Sequence, residues 1–381
     1  MSASISCREV LEALRRGERP PHSVIWDLGQ SQPDAFFRII VESLADSFEP
    51  AQAAAYEYLM RAWIPAEPQV KPVVPNQVHT VYVLSRVTLG ADIKITSIIL
   101  DAMKRRFHDA AIVLIGNRKS AELFAADSRI THLEAEYPRS GPVPARLEMA
   151  YRLRRELEGP GRIVVDPDSR ITQLGLIPVC ETEHYFHFTS RTAEFASNLT
   201  ALTQGWLQET FGASGQAYMA PPPVQMEGYE PRVTVSLGVG ENESKRIPGD
   251  FESRLICALG QKFRTIWIDR GVGGEEARRV SAAAEASGYI DRVRFWEGSF
   301  AGFASLISQS DLYVGYDSAG QHAAAASGTP LISIFAGAPS ERFRARWSPQ
   351  GPGPIHVIDT NSLDKEAILE GFARIVETPA L

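Results

Sequence analysis

Cysteine is scarce in this chain. Three thiols, Cys7, Cys180 and Cys257, are scattered through 381 residues with no C-x-x-C spacing. That argues against a disulfide framework or a cysteine-built metal site and points to a reducing, cytoplasmic setting. Also missing is any apolar run of the roughly 20 residues that a membrane-spanning helix requires. The start MSASISCREVLEAL lacks the apolar core of a secretory signal. No transmembrane segment and no signal peptide are expected, and peripheral attachment at an inner membrane is left open. No long basic run occurs either. Lys and Arg total 39 against 46 Asp and Glu, a net charge of −7, so nucleic acid is not an expected partner.

What is present suits a large soluble α/β protein. A hydrophobic content of 44% is enough for a full core, and this length implies more than one domain at roughly 100 to 200 residues each. Residues 1–75 read as a helical extension: Phe36, Phe37, Ile40, Val41 and Leu44 recur at helical spacing, and Tyr56, Leu59, Met60 and Trp63 continue the pattern. From His79 the rhythm changes. Short β-branched runs alternate with amphipathic helices, which predicts parallel sheets covered on both faces. The segment 76–215 is expected to form a first Rossmann-like domain, ending in a helix over Thr192–Thr210. The Gly-, Pro- and Ala-rich stretch 211–231 reads as a linker. A second Rossmann-like domain then fills 216–381, closed by a helix over Ser362–Val376.

The densest signals lie in Ser310–Pro339. Leu312–Tyr316 reads as a buried strand, Asp317-Ser318-Ala319-Gly320-Gln321-His322 opens an Ala-rich helix, and Leu331–Phe335 returns as a strand. Small side chains at a helix start leave the first N–H groups uncovered, and with the helix dipole they make a phosphate-sized anion site. The same pattern also suits an ordinary βαβ unit whose polar turn only caps the helix. Asp92, after Gly90, is placed either as a general base at a sheet edge or as a helix N-cap. Gly238 and Gly240 with nearby Lys245 suit a phosphate, or a solvated loop. Glu275 suits a ribose contact, or a first-turn acid stabilised by the dipole. Asp166, Asp168 and Arg170 end a strand and suit a polyhydroxylated acceptor, or a loop cap. His184 and His187 in HYFHF lack a third ligand and read as strand residues.

Together these stretches resemble the heptosyltransferase-like glycosyltransferases, family nine, over about residues 79–360. Arg86, Asp92 and Lys104-Arg105-Arg106 match the spacing of that family's first Arg, Gly-Asp and basic helix end, with Ala91 at the glycine position and Gly90 one place earlier. Lys245-Arg246-Ile247-Pro248 is similar to the family's Lys before Trp-Pro, and Glu275 falls at its ribose-directed acid. Asp317 to His322 corresponds to its Asp-Thr/Ser-Gly, two variable residues, His signature, with Ala319 replacing the first glycine. Phe335-Ala336-Gly337-Ala338-Pro339 departs from Phe-Gly-Pro-Thr-x-Pro, as in a divergent member.

The resemblance implies an α/β fold of GT-B architecture, with two facing Rossmann-like doubly wound domains and the N-terminal helical extension. It implies an inverting, metal-independent enzyme without a cofactor, moving a sugar from a nucleotide diphosphate sugar, ADP-heptose being suggested, to an acceptor hydroxyl. Asp92 would be the base, and Lys245 with the 317–322 helix start would stabilise the departing diphosphate. Arg86, Gly238, Gly240, Lys245, Glu275, Asp317, Ser318, Ala319, Gly320, Gln321 and His322 would bind the donor, and Asp166, Asp168 and Arg170 the acceptor. Glycan, lipid-linked, protein and small-molecule acceptors all stay open. Two alternatives accompany this reading: a nucleotide-sugar epimerase of the same fold, and a non-catalytic nucleotide-sugar-binding or scaffold protein.

Overall fold

The computed structural model describes residues 6–68, 70–193, 197–240, 243–271, 273–337, 340–360 and 364–377. The chain forms two compact units that are discontinuous in sequence. Residues 1–88, 98–118 and 129–215 make the first, and residues 89–97, 119–128 and 216–381 make the second. Asp92, which falls within 76–215 in sequence, therefore packs in the second unit.

The first unit is built on β1 (Thr80–Leu84), β2 (Ala111–Gly116), β3 (Ile130–Glu134), β4 (Arg162–Asp166) and β5 (Tyr185–His187), all parallel, in the order β3-β2-β1-β4-β5. Side chains alternate between faces with period two. Tyr82, Leu84, Val113, Ile115 and Val164 pack into one apolar cluster with Phe36, Phe37, Ile40, Leu59, Met60 and the helix Val143–Leu157. The N-terminal helices thus cover a sheet face that a parallel sheet cannot leave in water. Phe36 is fully buried, with its ring edge-on to Trp63 at 5.4 Å. The last helix of the unit starts at Leu199 rather than Thr192 because Asn198 caps it, accepting from the Thr200 N–H at 3.0 Å. Residues 194–196 of the expected helix lie outside the described residues.

The second unit has β6 (Arg232–Ser236), β7 (Thr265–Asp269), β8 (Val293–Trp296), β9 (Leu312–Tyr316), β10 (Leu331–Phe335) and β11 (Ile355–Asp359), again all parallel, in the order β11-β10-β9-β6-β7-β8. Counted within the unit this is 3-2-1-4-5-6 read from β8, the doubly wound order. Residues 216–231 form neither helix nor strand, yet they are docked on this unit. Ala220 exchanges backbone hydrogen bonds with Leu123 and Ala126, and the Val224 N–H donates to Ser305 Oγ at 3.0 Å. The closing helix runs Lys365–Glu377, and 361–363 of its expected start lie outside the described residues. Among the described residues no helix is long and apolar enough to cross a membrane.

Because the N-terminal helices share the first unit's core, Phe36→Ala should destabilise the protein by ~3–5 kcal/mol and lower the urea midpoint accordingly. An unchanged midpoint would show the segment to be a dispensable appendage.

Candidate functional site

In the second unit, β6 and β9 are neighbours from which the chain proceeds to opposite sides of the sheet. The loops leaving their carboxyl ends diverge and open a crevice, the usual ligand position in such sheets. The loop after β6 carries Gly238, Gly240 and Lys245, with Glu241 and Asn242 outside the described residues. The loop after β9 carries Asp317. The two meet: Lys245 Nζ lies 2.8 Å from Asp317 Oδ2 and 5.5 Å from the Phe343 ring centre. Asp317 Oδ1 accepts from Gln321, whose own amide oxygen accepts from Ser333 Oγ. Ser333, Gln321, Asp317 and Lys245 thus form one hydrogen-bonded chain that aims the ammonium.

The helix Ala319–Ser327 starts here with no side-chain cap on its first turn. The Ser318 Oγ is buried beside the Tyr313 hydroxyl, with no hydrogen bond of good geometry among the described residues. Gly320 is required for packing, because a β-carbon there would fall on the Tyr313 hydroxyl. Uncapped N–H groups beside a lysine form a ready anion cradle. His322, one turn in, is buried at 4% exposure, with its ring 5.8 Å from Trp347. Burial, with the charges of Lys94 and Lys245, pushes its imidazole well below the usual range, so it is neutral.

Asp92 is not an N-cap. The helical run begins at Leu89, and Asp92 opens a π-turn, Asp92–Thr96, of the kind often found at functional positions. Its carboxylate is fully buried, accepting from Thr96 Oγ1 at 2.8 Å and Ser120 Oγ at 2.7 Å. Two residues on, Lys94 is 3% exposed and donates to the Ser348 carbonyl at 2.7 Å. Burial pulls its ammonium down to about 7, and the Asp317 charge opposes that only in part. Sequence reading missed Lys94, because a lysine among Ile93, Ile95 and Ile98 carries no motif. Gly90 lets this helix approach its neighbour: a β-carbon there would lie 3.2 Å from His322 Cδ2 and 3.4 Å from Ala319 Cα.

Glu275 is exposed in the first turn of Gly274–Ala286. The adjacent Glu276 is the acid that reaches the crevice, its Oε1 lying 2.6 Å from where a Gly238 side chain would start. Val272 of this loop lies outside the described residues.

The remaining residues gather in the first unit, at the corresponding point between β1 and β4. Arg86 donates to Ser190 Oγ, which donates to Asp168 Oδ2 at 2.9 Å. Burial and the neighbouring Arg191 bring the Arg86 guanidinium down to about 9. Asp166 accepts from Tyr185, Thr172 and the Ser169 N–H, and Arg170 pairs with Asp46 at 2.8 Å. Asp166 is thus engaged by its own loop and β5, and Arg170 by the N-terminal segment. Among the described residues no three His, Cys, Asp or Glu side chains are grouped to hold a metal.

Lys94 makes a direct forecast. Its folded value lies below the ordinary 10.5, so the unfolded chain binds the extra proton and stability rises with pH between about 7 and 10.5. Lys94→Met should therefore raise Tm most at pH 6.5, by ~2–4 °C for each kcal/mol recovered, with the difference shrinking towards pH 10. A pH-independent difference would refute the burial effect.

Residues 277–363 match the family model for glycosyltransferase family 9 (heptosyltransferase). No curated protein matches the chain. Solved structures do. The Escherichia coli heptosyltransferase WaaC with ADP is similar at a TM-score of 0.56 and 14% identity, covering 78% of this chain and 99% of that one. The glycosyl transferase family 9 protein of Veillonella parvula gives 0.55 and 15%, covering 74% and 86%. E. coli ADP-heptose LPS heptosyltransferase II gives 0.50 and 16%, covering 78% and 100%. At these identities the structural likeness establishes the GT-B fold, and the segment match adds the sequence signature within the second unit. The chain thus has the fold of these enzymes, and its segment 277–363 is similar in sequence to glycosyltransferase family 9.

Proposed function

We propose that the protein is an inverting glycosyltransferase that moves a sugar from a nucleotide diphosphate sugar to an acceptor hydroxyl. The observation that carries this reading is the meeting of Lys245 and Asp317 at the uncapped start of Ala319–Ser327, at the switch point of a doubly wound sheet. As the bond to the sugar breaks, negative charge builds on the departing diphosphate. Helix N–H groups and the Lys245 ammonium act on charge that develops in the transition state, so they lower the barrier more than they tighten ground-state binding. Lys94, whose charge acts on the same Asp317, adds a second cation there. These cations take the part that a resident metal would otherwise play, and no cofactor is invoked. Gly238 leaves room for the Glu276 carboxylate against the β6 loop, which makes Glu276 the better placed partner for a ribose. ADP-heptose is the first donor to test, because structures similar to this chain are described with ADP or as ADP-heptose enzymes.

Asp92 is the proposed base. Its two oxygens hold the hydroxyls of Thr96 and Ser120, and an acceptor hydroxyl would replace one of them before losing its proton. Free cysteines suit reaction in the cytoplasm.

Lys245→Ala should weaken ADP binding by ~10-fold or more in calorimetry, the scale of one charge-assisted hydrogen bond. Asp92→Asn should leave ADP binding intact and lower sugar transfer by ~10²–10⁴, the usual weight of a general base, read by mass spectrometry of the product. An altered free sugar formed without acceptor would replace this reading with epimerisation. No nucleotide binding by the folded protein would refute the donor site.

A further inference from the structure

Within the first unit lies a cavity of about 620 Å³, a size typical of small-molecule sites. Its floor is the carboxyl end of β4 and β5, where Asp168, His187 and Arg191 meet. One wall comes from the N-terminal segment, including Phe48 and Val70, and the other from Leu174 and Leu176. WaaC is covered almost end to end, yet leaves roughly a fifth of this chain without a counterpart. The cavity belongs to no part of the diphosphate cradle.

Three observations mark it as built. The non-glycine residues at positive φ are Phe48, Val87, Asp168, Gln173 and Leu174 among the described residues, and Phe48, Asp168 and Leu174 line this cavity. Such backbone costs of order 1–3 kcal/mol per residue and concentrates at ligand sites. Secondly, the polar floor is fixed. His187 Nε2 lies 2.9 Å from Asp168 Oδ1, the Arg191 N–H donates to Asp168 Oδ2 at 2.9 Å, and Arg191 Nε donates to the Ala45 carbonyl at 2.8 Å. Gly175 makes room for the imidazole, since any side chain there would fall on the ring. Thirdly, two donors remain. Arg191 Nη2 and His187 Nδ1 make no hydrogen bond among the described residues, and the nearest carboxylate to Nη2 is Asp46 at 3.9 Å. The side chains of Asp168 and Arg191 are only 5% and 8% exposed.

The charges facing His187 are Asp168, Asp166 and Arg191, with the Tyr185 ring 6.3 Å away. Burial disfavours the imidazolium, and the Asp168 hydrogen bond and charge outweigh that, raising its titration above the ordinary range. It then presents Nδ1–H as a donor. Of the acids lining the cavity, Glu57 pairs with Arg61 and Glu67 with Arg154. Glu49 carries no ion pair among the described residues and disfavours a dianion.

We infer that this cavity binds a small organic carboxylate, its head on Arg191 and His187 and its apolar body against Phe48, Leu174 and Val70. As a binding site it stands without the transfer reading.

The test is calorimetry with 3-phenylpropionate, 3-phenylpropionamide, phenyl phosphate and acetate on the full-length protein, with ADP titrated into the same samples. 3-Phenylpropionate should bind, with the amide and acetate at least ~10-fold weaker, since the amide lacks the charge-assisted hydrogen bonds and acetate lacks the apolar body. Phenyl phosphate should bind more weakly than the carboxylate at pH 8. Binding should weaken as pH rises through the His187 titration, and in His187→Gln it should be weaker and flat over that range. Ala54→Trp, an exposed helix position lining the cavity, should abolish binding without shifting Tm. No carboxylate binding by the folded protein, equal binding of the amide, or binding that survives Ala54→Trp would overturn the inference. Loss of ADP binding alone would strike the donor reading and leave this site intact.

Discussion

A parallel sheet buries both faces, and the rest of this molecule follows from that constraint. The strands read as nearly continuous apolar runs, so polar chemistry is confined to their carboxyl ends. There, loops leaving neighbouring strands in opposite directions cannot fill the space between them, and a crevice forms. Both units place their charged clusters at this point: Lys245 with Asp317 between β6 and β9, and Arg86 with Asp168 between β1 and β4. The N-terminal helices cover one face of the first sheet, so their role in stability is as direct as that of any helix between strands.

The two clusters handle buried charge differently. In the first unit the Asp168 carboxylate receives His187, Ser190 and the Arg191 N–H. Burial alone would raise its titration, and these partners outweigh that and hold it below the ordinary range. Each partner is in turn fixed, which is how a buried ion pair avoids a net cost. In the second unit Lys245 pairs with Asp317 beside a positive helix end, and His322 stays neutral because burial, and then the charges of Lys94 and Lys245, oppose its protonation. Burial, opposed only in part by the Asp317 charge, is what holds the Lys94 ammonium down to about 7.

Much of the fold was legible because period-two and helical patterns are local. The strands Leu312–Tyr316 and Leu331–Phe335 fall where their apolar runs put them, HYFHF holds the strand Tyr185–His187 with His184 in the turn before it, and the Asp317–His322 turn opens a helix as its small residues foretold. What local pattern could not carry was packing. Asp92 looked like an N-cap because a glycine precedes it, but helix formation starts at Leu89 and the carboxylate is turned inward to Ser120, distant in sequence. Glu275 and Glu276 are indistinguishable in sequence, and only helix register decides which reaches Gly238. Lys94 and the His187–Asp168 pair were hidden for the same reason, since their meaning comes from partners brought together by the sheets.

The departures from the family pattern have a packing counterpart in the structure. In the family motif glycine directly precedes the aspartate, whereas here Ala91 does. The close helix approach occurs one residue earlier, at Gly90, where a β-carbon would crowd His322 and Ala319. Ala319 tolerates its own methyl because its partner has none. Gly320 cannot vary, since the Tyr313 hydroxyl fills the space beside it. The glycine has moved along with the contact it serves, so the substitutions keep the approach of the Asp92 helix to the start of Ala319–Ser327 instead of relaxing it.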